Sequence, residues 1–194
     1  MSSIKLKHSS GNSVSIAAPE SNPASDRTLY VPSNANGTIL TNTTPGCILQ
    51  IVQTVKTDTT SHDTNTWTDI SGLSLSITPS SVSNKILISF HGSGSTTNIG
   101  FIRLLRDSTE IGAGGSDGSR VPCACMFHKS GDSNLMESFG NSYLDSPSST
   151  SAVTYKLQWR DESGTIYLNR SVNDHNTIAG SRTSSVITAM EVAG

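Results

Sequence analysis

Apolar and polar residues alternate with a period of two along much of this chain. Val153-Thr154-Tyr155-Lys156-Leu157-Gln158-Trp159-Arg160 alternates without a break. On a strand this puts Val153, Tyr155, Leu157 and Trp159 on one face and Thr154, Lys156, Gln158 and Arg160 on the other. Leu73-Ser74-Leu75-Ser76-Ile77 and Ile4-Lys5-Leu6-Lys7 repeat the pattern, and Lys85-Ile86-Leu87-Ile88-Ser89-Phe90 follows it less strictly. Denser apolar runs at 48–55, 101–105 and 186–192 read as strands covered on both faces, by a second sheet on one side and by a loop or another subunit on the other. Thr, Val and Ile enrich these segments, as a pleated surface favours. No stretch keeps an i, i+3, i+4 apolar stripe through three turns, so no helix is expected.

Gly, Ser, Asn, Asp and Pro punctuate the runs at Ser71-Gly72, Pro79-Ser80-Ser81, 112–118, Ser130-Gly131-Asp132, Ser146-Pro147 and Ser163-Gly164. Trp159 and Ile166 flank Asp161-Glu162-Ser163-Gly164, which predicts a hairpin with both acids solvated. Many short strands at intervals of 8–15 residues predict an all-β antiparallel sandwich of the jelly-roll kind. A boundary falls near Pro45-Gly46, separating an arm, 1–45, from the sandwich, 46–194. The arm's apolar residues are sparse: Ile4 and Leu6, Val14 and Ile16, Leu29 and Val31, Ile39 and Leu40. An isolated two-stranded hairpin is marginal in water. The arm is therefore expected either to be mobile or, as its regular succession of short strand and Gly/Asn turn favours, to be an extended, trimerising stem completed by identical neighbours through these eight residues.

Composition narrows the function. Charged residues make up 14% of the chain and the net charge is -2, while 57 of the 194 residues are Ser or Thr. So small a net charge with so many β-branched residues argues against disorder. Scattered Lys and Arg leave no footprint for nucleic acid. No run approaches 18 apolar residues, so no membrane insertion is expected. Residues 1–20 lack the apolar core of a secretory leader, so Cys47, Cys123 and Cys125 are expected as reduced thiols.

Catalytic and metal chemistry find little support. Cys123 and Cys125 share a strand face with His128 nearby, but the second ligand pair of a zinc site is missing. His8, His62, His91, His128 and His175 show no metal-ligand spacing. Asp107 and Glu110 flank a tight turn, but calcium wants six to eight oxygens from several converging carboxylates. The segment 112–118 is Gly-rich yet lacks the Lys and helix of a phosphate loop, and reads as a hairpin tip. Sequons at Asn36, Asn42 and Asn169 read as coincidences of a Ser/Thr-rich chain. A polysaccharide-cleaving enzyme needs paired carboxylates in a groove, and acids are few. The expectation is a protein without enzymatic activity, metal or cofactor, acting through neutral Ser/Thr/Asn/Gly loops. Candidate exposed contact residues are Arg120, His128, Tyr143, Arg170, His175 and Arg182.

Several segments carry a resemblance. Ser3-Ile4-Lys5-Leu6-Lys7-His8-Ser9-Ser10-Gly11-Asn12-Ser13-Val14-Ser15-Ile16 resembles the start of fibre and other structural proteins of tailed phages of marine bacteria, especially cyanophages. Arg27-Thr28-Leu29-Tyr30-Val31-Pro32-Ser33-Asn34-Ala35-Asn36-Gly37-Thr38-Ile39-Leu40-Thr41 is similar to a shaft element of those proteins. Ile48-Leu49-Gln50-Ile51-Val52-Gln53-Thr54-Val55-Lys56-Thr57-Asp58, Trp67-Thr68-Asp69-Ile70-Ser71-Gly72-Leu73, Tyr143-Leu144-Asp145-Ser146-Pro147 and Tyr155-Lys156-Leu157-Gln158 resemble their distal domain. The resemblance implies a homotrimer with a jelly roll like that of tumour-necrosis-factor-type trimers. It also implies a place on the virion surface after assembly in the host cytoplasm, and attachment to other virion proteins through the arm. Two roles follow from it. One is a short fibre contacting host-surface polysaccharide or an envelope protein. The other is a capsid decoration, cement or head-fibre protein with no receptor contact.

Overall fold

A computed structural model describes residues 3–7, 9–11, 13–17, 44–178 and 180–194. The chain divides into two compact units, Met1–Ile39 and Leu40–Gly194. In the first, β1 (Ser3–Lys7) and β2 (Ser13–Ala17) pair antiparallel, with Ile4 opposite Ile16 and Leu6 opposite Val14. Gly11 in the connection takes φ 107°, a conformation that glycine adopts without a Cβ penalty. Leu29, Val31, Ile39 and Leu40, the other expected stem residues, lie outside the described residues.

The second unit is an antiparallel β-sandwich, as the alternation predicts, and the described residues include no helix. Its strands are β3 (Ile48–Lys56), β4 (Thr60–His62), β5 (Thr68–Ile77), β6 (Lys85–Thr96), β7 (Ile99–Arg106), β8 (Thr109–Ile111), β9 (Cys125–His128), β10 (Glu137–Asp145), β11 (Val153–Asp161), β12 (Ile166–Leu168) and β13 (Ser185–Val192). Sheet one runs β3-β13-β6, with β10 on the far edge of β6 and the short β12 and β4 continuing the β13 and β3 rows. Sheet two runs β5-β11-β7, with β8 and β9 both pairing β7. The long strands thus pass between the sheets in the nested order of a jelly roll.

Alternation becomes burial along β11. Val153, Tyr155, Leu157 and Trp159 are buried against Ile86, Ile88 and Phe90 of β6 and Ile187 of β13, while Thr154, Lys156, Gln158 and Arg160 are half-buried on the other face. Each buried side chain of this size contributes about 1.5–3 kcal/mol gross. Side chains close the sandwich at both edges. Thr54 Oγ1 donates to the Ser74 carbonyl and Gln50 Nε2 to the Thr78 carbonyl, joining β3 to β5. The Cys125 thiol lies 3.7 Å from the Gly140 carbonyl, between β9 and β10.

Three expectations are corrected. Ser71-Gly72 is a bulge inside β5, not a turn: the register with β11 shifts there and Gly72 takes φ 81°. The extra residues bring both Ile70 and Leu73 to the core, although three positions separate them. The segment after Trp159 is not a hairpin either, because β11 lies in sheet two and β12 in sheet one. Asp161 turns that corner. It is 1% exposed rather than solvated, and its carboxylate accepts from Thr96 Oγ1 at 2.9 Å, the Ser163 N–H at 3.0 Å and the Gly164 N–H. On β3, Ile48, Ile51 and Val55 are exposed in the single chain, so no described loop covers them and the other expected cover, a second subunit, is left for that face.

Candidate functional site

Register fixes the two ends of the sandwich. The chain enters at Gly46, whose N–H donates to the Ala193 carbonyl. This near end also holds the start of β6, the β7–β8 turn and the β10–β11 connection. The opposite, loop end gathers the 57–67 segment, the β6–β7 turn, the β9–β10 connection 129–136, the β11–β12 corner and the β12–β13 connection 169–184.

Four of the six expected contact residues, His128, Arg170, His175 and Arg182, lie at the loop end. Arg170 and Arg182 both ion-pair with Asp174, the former at 2.8 Å. The Arg170 guanidinium also sits 4.3 Å over the Tyr167 ring. The hydrogen bond from Arg182 and the charge of Arg170 together hold the Asp174 carboxyl below the usual range against the opposing effect of burial. The two arginines thus latch their own connection, while His175 beside them is exposed. Asn169 of the third sequon is fully buried: Nδ2 donates to the carbonyls of Lys56 and Asp58, and Oδ1 accepts from Ser185 Oγ. Arg120 and Tyr143 lie elsewhere. Arg120 pairs with Asp117 beside an open groove floored by Phe101 and Met126, and Tyr143 packs over Gly112 on β10.

At the loop end is a cavity of about 170 Å³. His128 at the end of β9, Lys129, Asp132, Ser133 and Leu135 of the β9–β10 connection, Glu137 at the start of β10, Ser95–Thr97 from β6 and its turn, and Val172 from the β12–β13 connection line it. Hydrogen bonds tie its walls together. Lys129 N–H donates to the Asn98 carbonyl, and Asn173 N–H to the Ser133 carbonyl. Asn173 Nδ2 donates to Asn134 Oδ1. His128 N–H lies 3.4 Å from Glu137 Oε2. Of these lining residues the sequence singled out only His128, because three segments far apart in the chain meet here.

The outer faces of the two sheets differ in kind. On sheet two, Lys156 pairs with Asp69 at 2.9 Å, Arg103 with Glu110 at 3.0 Å and Arg160 with Glu162 at 2.9 Å. Arg103 also covers the Trp67 ring at 4.4 Å. On sheet one, cross-strand rows run Ile51–Met190–Leu87–Leu144, Gln53–Thr188–Ser89–Ser142 and Val55–Val186–His91–Gly140. No residue of these rows forms an ion pair among the described residues. Ile51 is 58% exposed, Val55 53% and Leu144 49%.

The three cysteines are free, and burial pushes the Cys123 and Cys125 thiols up. Among the described residues no three His, Cys, Asp or Glu side chains gather as metal ligands would. Asp107 instead accepts from the Thr154 N–H.

No protein-family model matches the chain, and no curated protein does. The solved structure of infectious bursal disease virus, Gx strain, is similar over 94% of this chain at 11% identity, with a TM-score of 0.36. This chain covers 43% of that one, less than half its length.

Proposed function

We propose that this chain is a structural protein of a phage particle, a short fibre that associates as a homotrimer through the outer face of sheet one and turns its loop end toward the host surface. The observation that carries the reading is the apolar row Ile51–Met190–Leu87–Leu144, which crosses the four long strands of that sheet, β3, β13, β6 and β10. An apolar band this continuous on a monomer's surface marks an interaction site. A second copy of the chain fits it, because the three rows of that face carry no Asp, Glu, Lys or Arg and the ion-paired face of sheet two supplies the solvated exterior. The threefold number and the virion setting come from the sequence resemblance. The orientation is supported by the placement of chain entry and polar loops at opposite ends of the sandwich. Trimeric display raises avidity without a strong single site. The protein binds and does not turn over its ligand, so no reducing sugar is released from host envelope polysaccharide.

Light scattering on the purified chain is expected to give about 61 kDa, three times 20.4 kDa. Leu144→Asp places a charge in the row and is expected to give folded monomers. A wild-type monomer at micromolar concentration would overturn the reading. Labelled protein is expected to adsorb to host cells. Binding to particles without adsorption would favour the decoration role instead.

A further inference from the structure

We infer that the loop-end cavity is a binding site for one neutral sugar ring. Its volume of about 170 Å³ equals five to six waters at about 30 Å³ each, room for a single pyranose and not for an oligosaccharide. The chemistry of its lining matches a polyol. Asp132 and Glu137 supply carboxylate acceptors, Lys129 a donor, and Ser133 a hydroxyl that does either. Leu135 and Val172 offer an apolar wall to the C–H face of a ring. Two carboxylates against one ammonium disfavour phosphate, sulfate and uronate. A metal ion would need more converging ligands than are gathered here. The hydrogen bonds through Asn98 and Asn173 fix the walls before a ligand arrives, so little ordering is lost on binding. The inference deepens the attachment reading and rests on it only for the source of the sugar, an outward-facing host glycan.

The test is saturation-transfer NMR on the full chain with the methyl glycosides of glucose, galactose, mannose and N-acetylglucosamine, and with methyl glucuronide as the charged counterpart. At least one neutral glycoside is expected to bind, with the glucuronide weaker. Glu137→Gln keeps the shape and replaces a charged acceptor by a neutral one, so affinity is expected to fall about tenfold. Ser133→Trp fills the cavity and is expected to abolish binding. Circular dichroism of both variants is the accompanying check, and both are expected to remain folded. No binding by any of the four glycosides, or undiminished binding in folded Ser133→Trp, overturns the inference. Light scattering on the same samples separates the two readings. A trimer that ignores all four sugars sinks the cavity site alone, whereas sugar binding by a monomer upholds the site and sinks the assembly.

Discussion

Glu191 shows how much one side chain can tie together in a chain so poor in charge. It lies on β13 facing inward and is 1% exposed. Burial alone would raise its pKa. Four hydrogen bonds oppose that: Gln50 Nε2 at 2.6 Å, Asn84 Nδ2 at 2.6 Å, and Ser80 through its N–H at 2.6 Å and its hydroxyl at 2.8 Å. The donors win, and the carboxyl is held below its ordinary 4.5. Every donor is neutral, so the carboxylate keeps its full charge and its strength as an acceptor. Since the folded value lies below the unfolded one, the resulting stability is present above about pH 4.5 and is lost as pH falls through the folded value. Glu191→Gln is expected to cost about 2 kcal/mol at pH 7 and to flatten the loss of stability below pH 4.5. Urea unfolding at a series of pH values measures both. An unchanged acid slope would show that the carboxylate contributes nothing there.

At the scale of elements, Asp161 decides where sheet two ends and sheet one begins. Its carboxylate gathers Thr96 from β6 and the two amides of the corner, which orients the chain leaving β11 toward the other sheet. Asp161→Ala would leave a buried hydroxyl and two amides without that acceptor, at an expected cost of about 2–3 kcal/mol. Hydrogen exchange should quicken first at Ser163 and Gly164, ahead of the β11 core. Uniform exchange across β11 and the corner would show that the carboxylate does not hold the turn. The same corner marks the limit of what the residues reveal in order. Alternation in 153–160 predicts β11 and its buried face, because a period of two is a property of one strand. The partner of a strand is not. The signal is identical whether the next strand returns beside it or crosses the core, and here it crosses. Ser71-Gly72 misleads similarly, since a bulge and a turn call for the same glycine. The cavity is least legible, because Asp132, Glu137 and Thr96 are ordinary loop or strand-end residues until three connections converge.

For the whole molecule, the contrast between the two outer faces governs how copies would meet. Sheet two carries ion pairs that sit partly in water, where each is worth about 0–1 kcal/mol and weakens with salt. Sheet one offers an apolar row and a neutral one in which Gln53 Nε2 donates to Thr188 Oγ1 at 2.9 Å. Association through sheet two would join charged ladders, and screening would weaken it as the Debye length falls from about 10 Å at 0.1 M salt to about 3 Å at 1 M. Association through sheet one removes apolar surface from water, which screening does not touch and which excluded salts such as sulfate strengthen. Sedimentation at 0.05, 0.2 and 1 M NaCl is therefore expected to give one unchanging trimer mass, and sulfate is expected to lower the concentration at which it forms. A mass that falls toward 20.4 kDa as NaCl rises would place the contact on the charged face, and the apolar row would need another partner.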